Sequence, residues 1–224
     1  MKQVLAGEGA IAIWNGISEE GRADFYAWHL TEHIPERVGI PGFLRGRRYR
    51  AADNETHPEF FTLYETQTFE VTQGVDYFNR LNAPTPWTKR ATAHFKTTSR
   101  SLSRVVSSFG VGSGGALLTL RFDIEESERK TLESITMKVA ALPEITGAHI
   151  LKGDEESSGI KTAESKDRKD LELPARWIIL VEACSAEALG AARALLNDHH
   201  ALRAANAGLY RHEYTRLKTA WTAG

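Results

Sequence analysis

The order of strand-like and helix-like segments repeats once along this chain of 224 residues, and this repetition restricts the fold more than any single motif does. Judged from apolar alternation and helical periodicity, each half reads strand, helix, strand, strand, helix, strand. The first series starts at Gly9, and after a glycine-rich join the second starts at Ala116. This order is the ferredoxin-like pattern. We therefore predict an α+β protein with two tandem ferredoxin-like repeats, at residues 1–111 and 112–224.

Such a repeat cannot bury both faces of its own sheet. Two helices cover one face, and the other face, if apolar, requires a partner. Two repeats in one chain can cover each other, which predicts a pseudo-dimer that closes a barrel-like unit within the chain, with a further homodimer left open. A small molecule would then bind between sheet and helix or between the two sheets.

The composition argues against several classes of partner. The chain has 28 Lys and Arg against 29 Asp and Glu, so its formal charge of −1 provides no field for nucleic acid or an anionic membrane. No apolar run reaches the roughly 18 residues that a membrane span requires, and the N-terminus does not resemble a signal peptide. A single cysteine, Cys184, excludes an internal disulfide framework and fits a reducing compartment. We expect a cytoplasmic protein.

The first predicted helix contains most of the side chains that could perform chemistry. On a helical wheel, Leu30, Ile34 and Val38 lie in an apolar stripe that would face the sheet. Trp28 lies opposite Leu30, which predicts that it is exposed or packs on the other half. Pro35 lacks an amide hydrogen, so we expect the helix to kink or end there.

One stretch of this region resembles a known family. Residues 28–37 read WHLTEHIPER, and the turn IPGF at residues 40–43 and an arginine-rich strand ending at Tyr49 follow. This stretch resembles the EthD-like branch of the dimeric α/β-barrel superfamily. The resemblance covers about residues 9–105 and is only architectural beyond them. It implies ferredoxin-like units that pair as dimers or duplications, with activities that include cofactor-free monooxygenases, small-ring isomerases and haem-dependent enzymes.

The resemblance also implies that His29, Glu32 and His33 border the cleft. A neutral imidazole can accept a proton from a carbon acid or a phenol, and Glu32 could orient it. The alternative is that His33 is an inert residue at the edge of the helix-sheet seam and that His29 is on the surface. The pattern H-x-x-E-H also occurs in zinc peptidases. Because Pro35 disrupts the helix and no third ligand is marked, we predict no metal there.

Strand two provides candidate substrate-binding residues. Arg45, Arg47 and Tyr49 share one face with Phe43, and an arginine there could bind a carboxylate through two hydrogen bonds. The same arginines could instead pair with Glu65 or Glu70 of the protein itself. The sequence leaves both possibilities open.

Two further candidates depend on how loops and strands are oriented. Trp87 ends a proline-containing loop that could roof the cleft or could be only a packed turn. One face of the last predicted strand carries Tyr210, His212 and Tyr214. If the tyrosines face inward, His212 joins the enclosed space. Two neighbouring histidines, His199 and His200, are predicted to lie on a helix, where consecutive side chains diverge by about 100°. They are therefore predicted to be poor co-ligands that face solvent. The charged stretch from residue 153 to 173 is predicted to be a mobile, solvated loop.

Three functional hypotheses follow from these features. The first is an enzyme of small-molecule catabolism, of monooxygenase or isomerase type, which binds an aromatic or oxygenated acid in the barrel cleft and needs no cofactor. The second is a non-catalytic protein that binds a small ligand in the same cleft. The third, haem binding, draws on the resemblance and on the eight histidines.

Overall fold

A closed barrel of eight antiparallel strands forms the centre of the protein. The computed structural model describes residues 4–219. Around the barrel the strands follow the order β1-β3-β2-β8-β5-β7-β6-β4. The strands are β1 (Gly9–Ile17), β2 (Phe43–Ala51), β3 (Phe60–Thr66), β4 (Phe95–Gly110), β5 (Ala116–Phe122), β6 (Ile145–Gly153), β7 (Trp177–Ala183) and β8 (Asn206–Leu217).

Helices cover the outside of the barrel. They are α1 (Arg22–Trp28), α2 (Ile34–Gly39), α3 (Val75–Asn82), α4 (Pro86–Thr92), α5 (Arg129–Val139), α6 (Glu155–Gly159), α7 (Ala188–Leu196) and α8 (His200–Arg203). A π-helical turn, His29–His33, joins α1 to α2, and short 3-10 turns at Phe69–Gln73 and Glu126–Glu128 precede α3 and α5. Within residues 4–219, none of the helices combines the length and the apolar character needed to span a membrane.

The barrel closes because two four-stranded sheets pair edge to edge. The first four strands form one sheet and the last four form the other. Strand β2 pairs with β8 at one seam, where Tyr49 lies opposite His212, and β4 pairs with β6 at the second seam. Each sheet has the ferredoxin-like strand order with its helices outside. The predicted α+β fold class, with two such units in a barrel, is therefore confirmed.

The two faces of the barrel wall have different roles. On β1, Ala12 and Trp14 point into the barrel, whereas Ile11 and Ile13 point out toward the helices. The inward residues form an apolar core, which also encloses charged side chains. Because strand alternation places every second residue inside, each strand serves the central core and an outer helical layer at the same time.

Two strands contain β-bulges that change which side chains face inward, so the predicted faces of these strands differ from the structure. A register shift between Phe43 and Arg45 moves Phe43 to the outer layer, away from the inward-facing arginines. On β8, a shift opposite Arg48 and Tyr49 leaves Tyr210 inside, while Tyr214 packs on the outer layer. The prediction that Tyr210 and Tyr214 share a face was wrong, because one inserted residue reverses the alternation.

The stretch predicted as a mobile loop is instead an ordered cover. We call residues 154–174 the strap; they leave β6 of the second half and cross the outer face of the first sheet. Leu171 bridges to Thr98 of β4, and the Leu102 amide donates to Ser158 Oγ at 2.9 Å. Backbone pairing with β4 and ion pairs along its length hold the strap, which is why its charged composition does not leave it solvated.

Candidate functional site

A cleft of about 260 Å³ lies between the outer face of the first sheet, the first helical segment and the strap. Ile13 of β1 and Arg100 of β4 contribute to its floor. Its size is slightly below the usual range of pockets for drug-sized ligands, about 300–1,000 Å³, so it suits a small molecule. The apolar side chains that line it are Ile13, Trp28, Leu81, Phe95, Ile160, Leu171, Leu173 and Pro174.

A π-helical turn sets the geometry of the first helical segment. The turn spans His29–His33, and Pro35 lies in the first turn of α2, where its missing amide hydrogen costs nothing. The segment therefore does not end at Pro35, which was one of the two predicted outcomes. A π-helical turn contains an extra residue and is frequent at functional sites.

That extra residue rotates the buried face of α1. Trp28 is 1% exposed and lines the cleft, whereas Leu30 is 42% exposed. Both predictions for these residues were wrong, while Ile34 and Val38, beyond the turn, face the sheet as predicted. The Trp28 indole nitrogen donates to Thr88 Oγ1 at 3.2 Å, which fixes the ring.

Both histidines of the segment are packed among aromatic rings. The His29 ring stacks on Phe25 with centroids 4.9 Å apart, and the His33 ring lies 4.2 Å from Trp28. The two imidazoles are 5.4 Å apart. His33 lines the cleft, but His29 does not and is only 4% exposed. The prediction of a surface position for His29 as the inert alternative does not hold.

The surroundings keep both imidazoles neutral. Burial lowers the pKa of His29 well below 6.5, and the charges of Arg48 and Arg37 lower it further. Burial, with Arg37 as the next cause, lowers the pKa of His33 in the same direction. Within residues 4–219, the Nδ1 atom of each ring has no hydrogen-bond partner. At pH 7 His33 therefore presents an unprotonated imidazole at the wall of the cleft.

Glu32 contacts threonines and not the histidines. Its carboxylate accepts hydrogen bonds from Thr85 Oγ1 at 2.7 Å and from Thr88 Oγ1 at 3.3 Å. It ties the π-helical turn to the start of α4, and Thr88 in turn holds the Trp28 indole. In this arrangement Glu32 positions the aromatic wall. The predicted orientation of an imidazole by Glu32 is not supported, because the hydrogen bonds of Glu32 go to Thr85 and Thr88.

Arg45, Arg47 and Tyr49 lie inside the barrel and not in the cleft. Arg47 donates to both carboxylate oxygens of Glu182 at 2.8 and 2.9 Å, and its Nη2 atom is 2.9 Å from Glu65. Arg45 donates to Glu65 at 2.6 Å. The arginines therefore take the alternative in which they pair with the protein's own carboxylates.

This interior network is almost fully buried. The exposed fraction is 1% for Arg47 and Glu182 and 0% for Glu65. Burial by itself raises the pKa of Glu182, but the charge of Arg47 and a hydrogen bond from His149 outweigh burial and lower it to about 2. Burial raises the pKa of the Tyr49 hydroxyl far above 10. The arginines and carboxylates at the centre of the barrel are therefore charged and paired with each other.

Trp87 and His212 also lie outside the cleft. Trp87 belongs to α4 and not to the predicted loop. Its indole nitrogen donates to Asp24 Oδ1 at 2.9 Å, so α4 packs against α1. His212 is exposed near one end of the barrel, 2.7 Å from Thr215 Oγ1, and its ring is 5.3 Å from Tyr49. Of the residues predicted for the site, His33 is the one that lines this cavity, within the part of the chain that the structure describes.

The strap contributes residues that sequence reasoning did not assign to the site. Arg37 is 3% exposed and donates to Glu164 of the strap at 2.5 Å. Arg168 lies over the Phe95 ring at 4.9 Å from its centroid and pairs with Asp170 at 2.5 Å. The useful signal in the sequence was the length of this insertion, because long loops in compact domains are often functional.

One group of side chains in the described region could hold a metal ion. Ligand atoms of Glu128, His199 and His200 lie within 4.8 Å of one another. His199 has an extended backbone ahead of α8, so the two neighbouring histidines can converge, contrary to the prediction for a helix. His200 is exposed as predicted, but the prediction that His199 faces solvent was wrong, because it is buried. Two histidines and a carboxylate are a donor set that zinc accepts. The group belongs to the second half and is separate from the cleft.

Haem does not fit the outer layers of this barrel. On the second sheet, the layer under α5 and α7 is filled by apolar side chains, among them Leu120, Val139 and Leu196. On the first sheet, the cleft of about 260 Å³ is too small for a macrocycle beside His33.

Comparison with known proteins identifies the fold. No family model matches the chain, and no curated protein matches its sequence. Among solved structures, an anthrone oxidase-like protein is similar with a TM-score of 0.63 and 12% identity over 93% of this chain and 92% of that one.

Two more solved structures span nearly the whole chain. A protein proposed to be a monooxygenase, from Lactobacillus acidophilus NCFM, is similar with a TM-score of 0.57 and 9% identity, over 94% of this chain and 96% of that one. A mutant chlorite dismutase from Candidatus Nitrospira defluvii is similar with a TM-score of 0.53 and 9% identity, over 96% of this chain and 92% of that one. At such identities the similarity shows the fold alone. This chain has the dimeric α/β-barrel fold of these structures, with both halves of the barrel in one polypeptide.

Proposed function

We propose that the chain is a monooxygenase-type enzyme that oxidises a small aromatic molecule in the cleft of its first half. The proposal rests on one observation: a neutral imidazole, His33, forms part of an aromatic-walled cleft that the strap covers. Residues 1–111 would contain the site, and residues 112–224 would supply the strap. The names of the anthrone oxidase-like and monooxygenase structures agree with this chemistry.

The proposed reaction begins with proton transfer. His33 accepts a proton from an acidic C–H or phenolic O–H of the substrate, and the resulting carbanion or phenolate is electron-rich enough to react with dioxygen. For a methylene substrate, the carbon loses two hydrogens and gains one oxygen atom as a carbonyl, and the second oxygen atom leaves as water. Dioxygen is thus the four-electron oxidant, and the proton held by His33 ends in water.

The cleft favours this sequence electrostatically. Protonated His33 would be costly in the empty cleft, because it is buried and close to Arg37. When substrate is bound, the proton transfer creates an anion beside the new imidazolium, and the pair is stabilised in a medium of low dielectric constant. The cover formed by the strap excludes water, which would otherwise weaken this interaction.

Oxygen uptake tests the proposal. With small planar substrates such as anthrone or hydroxynaphthalenes, we expect the protein to consume dioxygen in proportion to the carbonyl product formed, measured with an oxygen electrode and by chromatography. Binding of these compounds without oxygen uptake would contradict the enzyme and would support the alternative, a ligand-binding protein. Absence of both binding and uptake would contradict a functional cleft.

A further inference from the structure

Arg100 is a half-buried cation of the cleft with no carboxylate partner. Among residues 4–219, no Asp or Glu oxygen lies within 4.0 Å of its guanidinium group, and its one hydrogen bond is a long one, 3.4 Å, to the Ser158 carbonyl oxygen. The other arginines at the cleft are paired, Arg37 with Glu164 and Arg168 with Asp170. Arg100 therefore has unused capacity to donate hydrogen bonds.

The strand places this group on the cleft floor. Arg100 lies opposite Ile13 of β1, on the outward face of β4, and its neighbours Ser99 and Ser101 are fully buried. Strap residue Ser158, whose hydroxyl also accepts from the Leu102 amide, lies above it. The guanidinium is thus held between the first sheet and the strap.

The charges of the lining favour an anion. Its cations are Arg100, Arg168 and the exposed Lys161, and its carboxylates are Glu164 and Glu172. Arg37 neutralises Glu164, and Asp170 neutralises Arg168. The lining then keeps two cations, Arg100 and Lys161, against one carboxylate, Glu172, which is exposed on the strap. Partial burial removes water from the Arg100 guanidinium without supplying a counterion, and a planar carboxylate can accept two parallel hydrogen bonds from it.

We propose that Arg100 binds the carboxylate of the substrate, so that the enzyme acts on aromatic carboxylic acids. The proposal rests on the function proposed above for the cleft. Apolar side chains such as Trp28 and Phe95 receive the ring, and Arg100 fixes its acidic end. Of the two roles that the sequence left open for Arg45 and Arg47, these residues take the internal pairing. The carboxylate-binding role is proposed for Arg100 instead.

Titration calorimetry with a matched pair of ligands tests this assignment. The probes are 2-naphthoate and its neutral amide, 2-naphthamide. We expect the wild type to bind the acid about 10- to 100-fold more tightly than the amide. Arg100→Gln should abolish that preference and leave the affinity for the amide unchanged, while Arg100→Lys should retain part of it.

Arg104→Gln is the control, because Arg104 is on the same strand and face but pairs with Glu70 outside the cleft. It should bind the acid as the wild type does. Equal affinity of the wild type for acid and amide, or an equal loss of both in Arg100→Gln, would overturn the acid specificity and leave the cleft as the binding site. No binding of either probe to a folded wild type would overturn both proposals.

Discussion

Replacing Arg47 by methionine is expected to lower the free energy of unfolding by about 3–5 kcal/mol. The change leaves the Glu182 carboxyl group buried inside the barrel without its arginine partner. The Gly114 amide still donates to it at 3.1 Å, and His149 Nε2 lies 3.4 Å away. Glu65 keeps its bond to Arg45. Urea denaturation at pH 7, followed by circular dichroism, measures the loss.

Two further variants separate this effect from a general loss of charge. Arg129→Met removes an exposed pair with Glu133 and should cost about 0.5 kcal/mol. The double variant Arg47→Met, Glu182→Met removes both members of the buried pair and should be more stable than the single variant, because no unpaired carboxylate remains. A loss below about 1 kcal/mol in Arg47→Met would contradict the account of the barrel centre.

His33→Gln is expected to reduce the rate of substrate oxidation by about 10²- to 10⁴-fold. Glutamine keeps a polar group of similar size but cannot accept the proton. Steady-state oxygen uptake measures kcat and KM, and a change confined to KM would contradict the role as a base. His57→Gln, at an exposed residue outside the cleft, should react as the wild type does.

The pH profile gives an independent signature of the same group. Because burial lowers the pKa of His33 well below 6.5, its imidazole stays neutral as the pH falls from 8 through 6.5. The value of kcat/KM should therefore be level across that range and decline only at lower pH, where the imidazole becomes protonated. A decline centred near 6.5 that persists in His33→Gln would assign the proton transfer to another group.

The fold could be predicted because each element has its own periodic signal. Strand alternation and turn residues placed all eight strands in the correct order, and the repeated order implied a closed barrel. The face of the first helix was predicted correctly at Ile34 and Val38 and incorrectly at Trp28 and Leu30. The wheel assumes a constant 100° per residue, whereas the π-helical turn between them inserts one residue that no sequence pattern announced.

The site was less predictable because it depends on contacts distant in sequence. Alternation grouped Arg45 with Arg47 but did not indicate that their face is the inside of the barrel. There Arg47 binds Glu182, which is 135 residues away in sequence, and Arg45 binds Glu65. Arg100 lay in a weakly patterned segment, and its free guanidinium is evident only once the strap is seen. The strap itself resembled a solvated loop, because its contacts with the first half use charged residues that could equally face solvent. Glu164 pairs with Arg37, and Arg168 and Asp170 bond to Thr98.

The central claim, that the first-half cleft is the ligand site, is tested most directly by filling it. Ile13→Trp places an indole on the cleft floor, and Val75→Trp adds the same ring at a residue 70% exposed and outside the cleft. In a thermal-shift assay with 2-naphthoate, the account predicts that the ligand raises the melting temperature of the wild type and of Val75→Trp by several degrees but not that of a folded Ile13→Trp. Equal shifts in all three proteins would contradict it, because the ligand would then bind elsewhere.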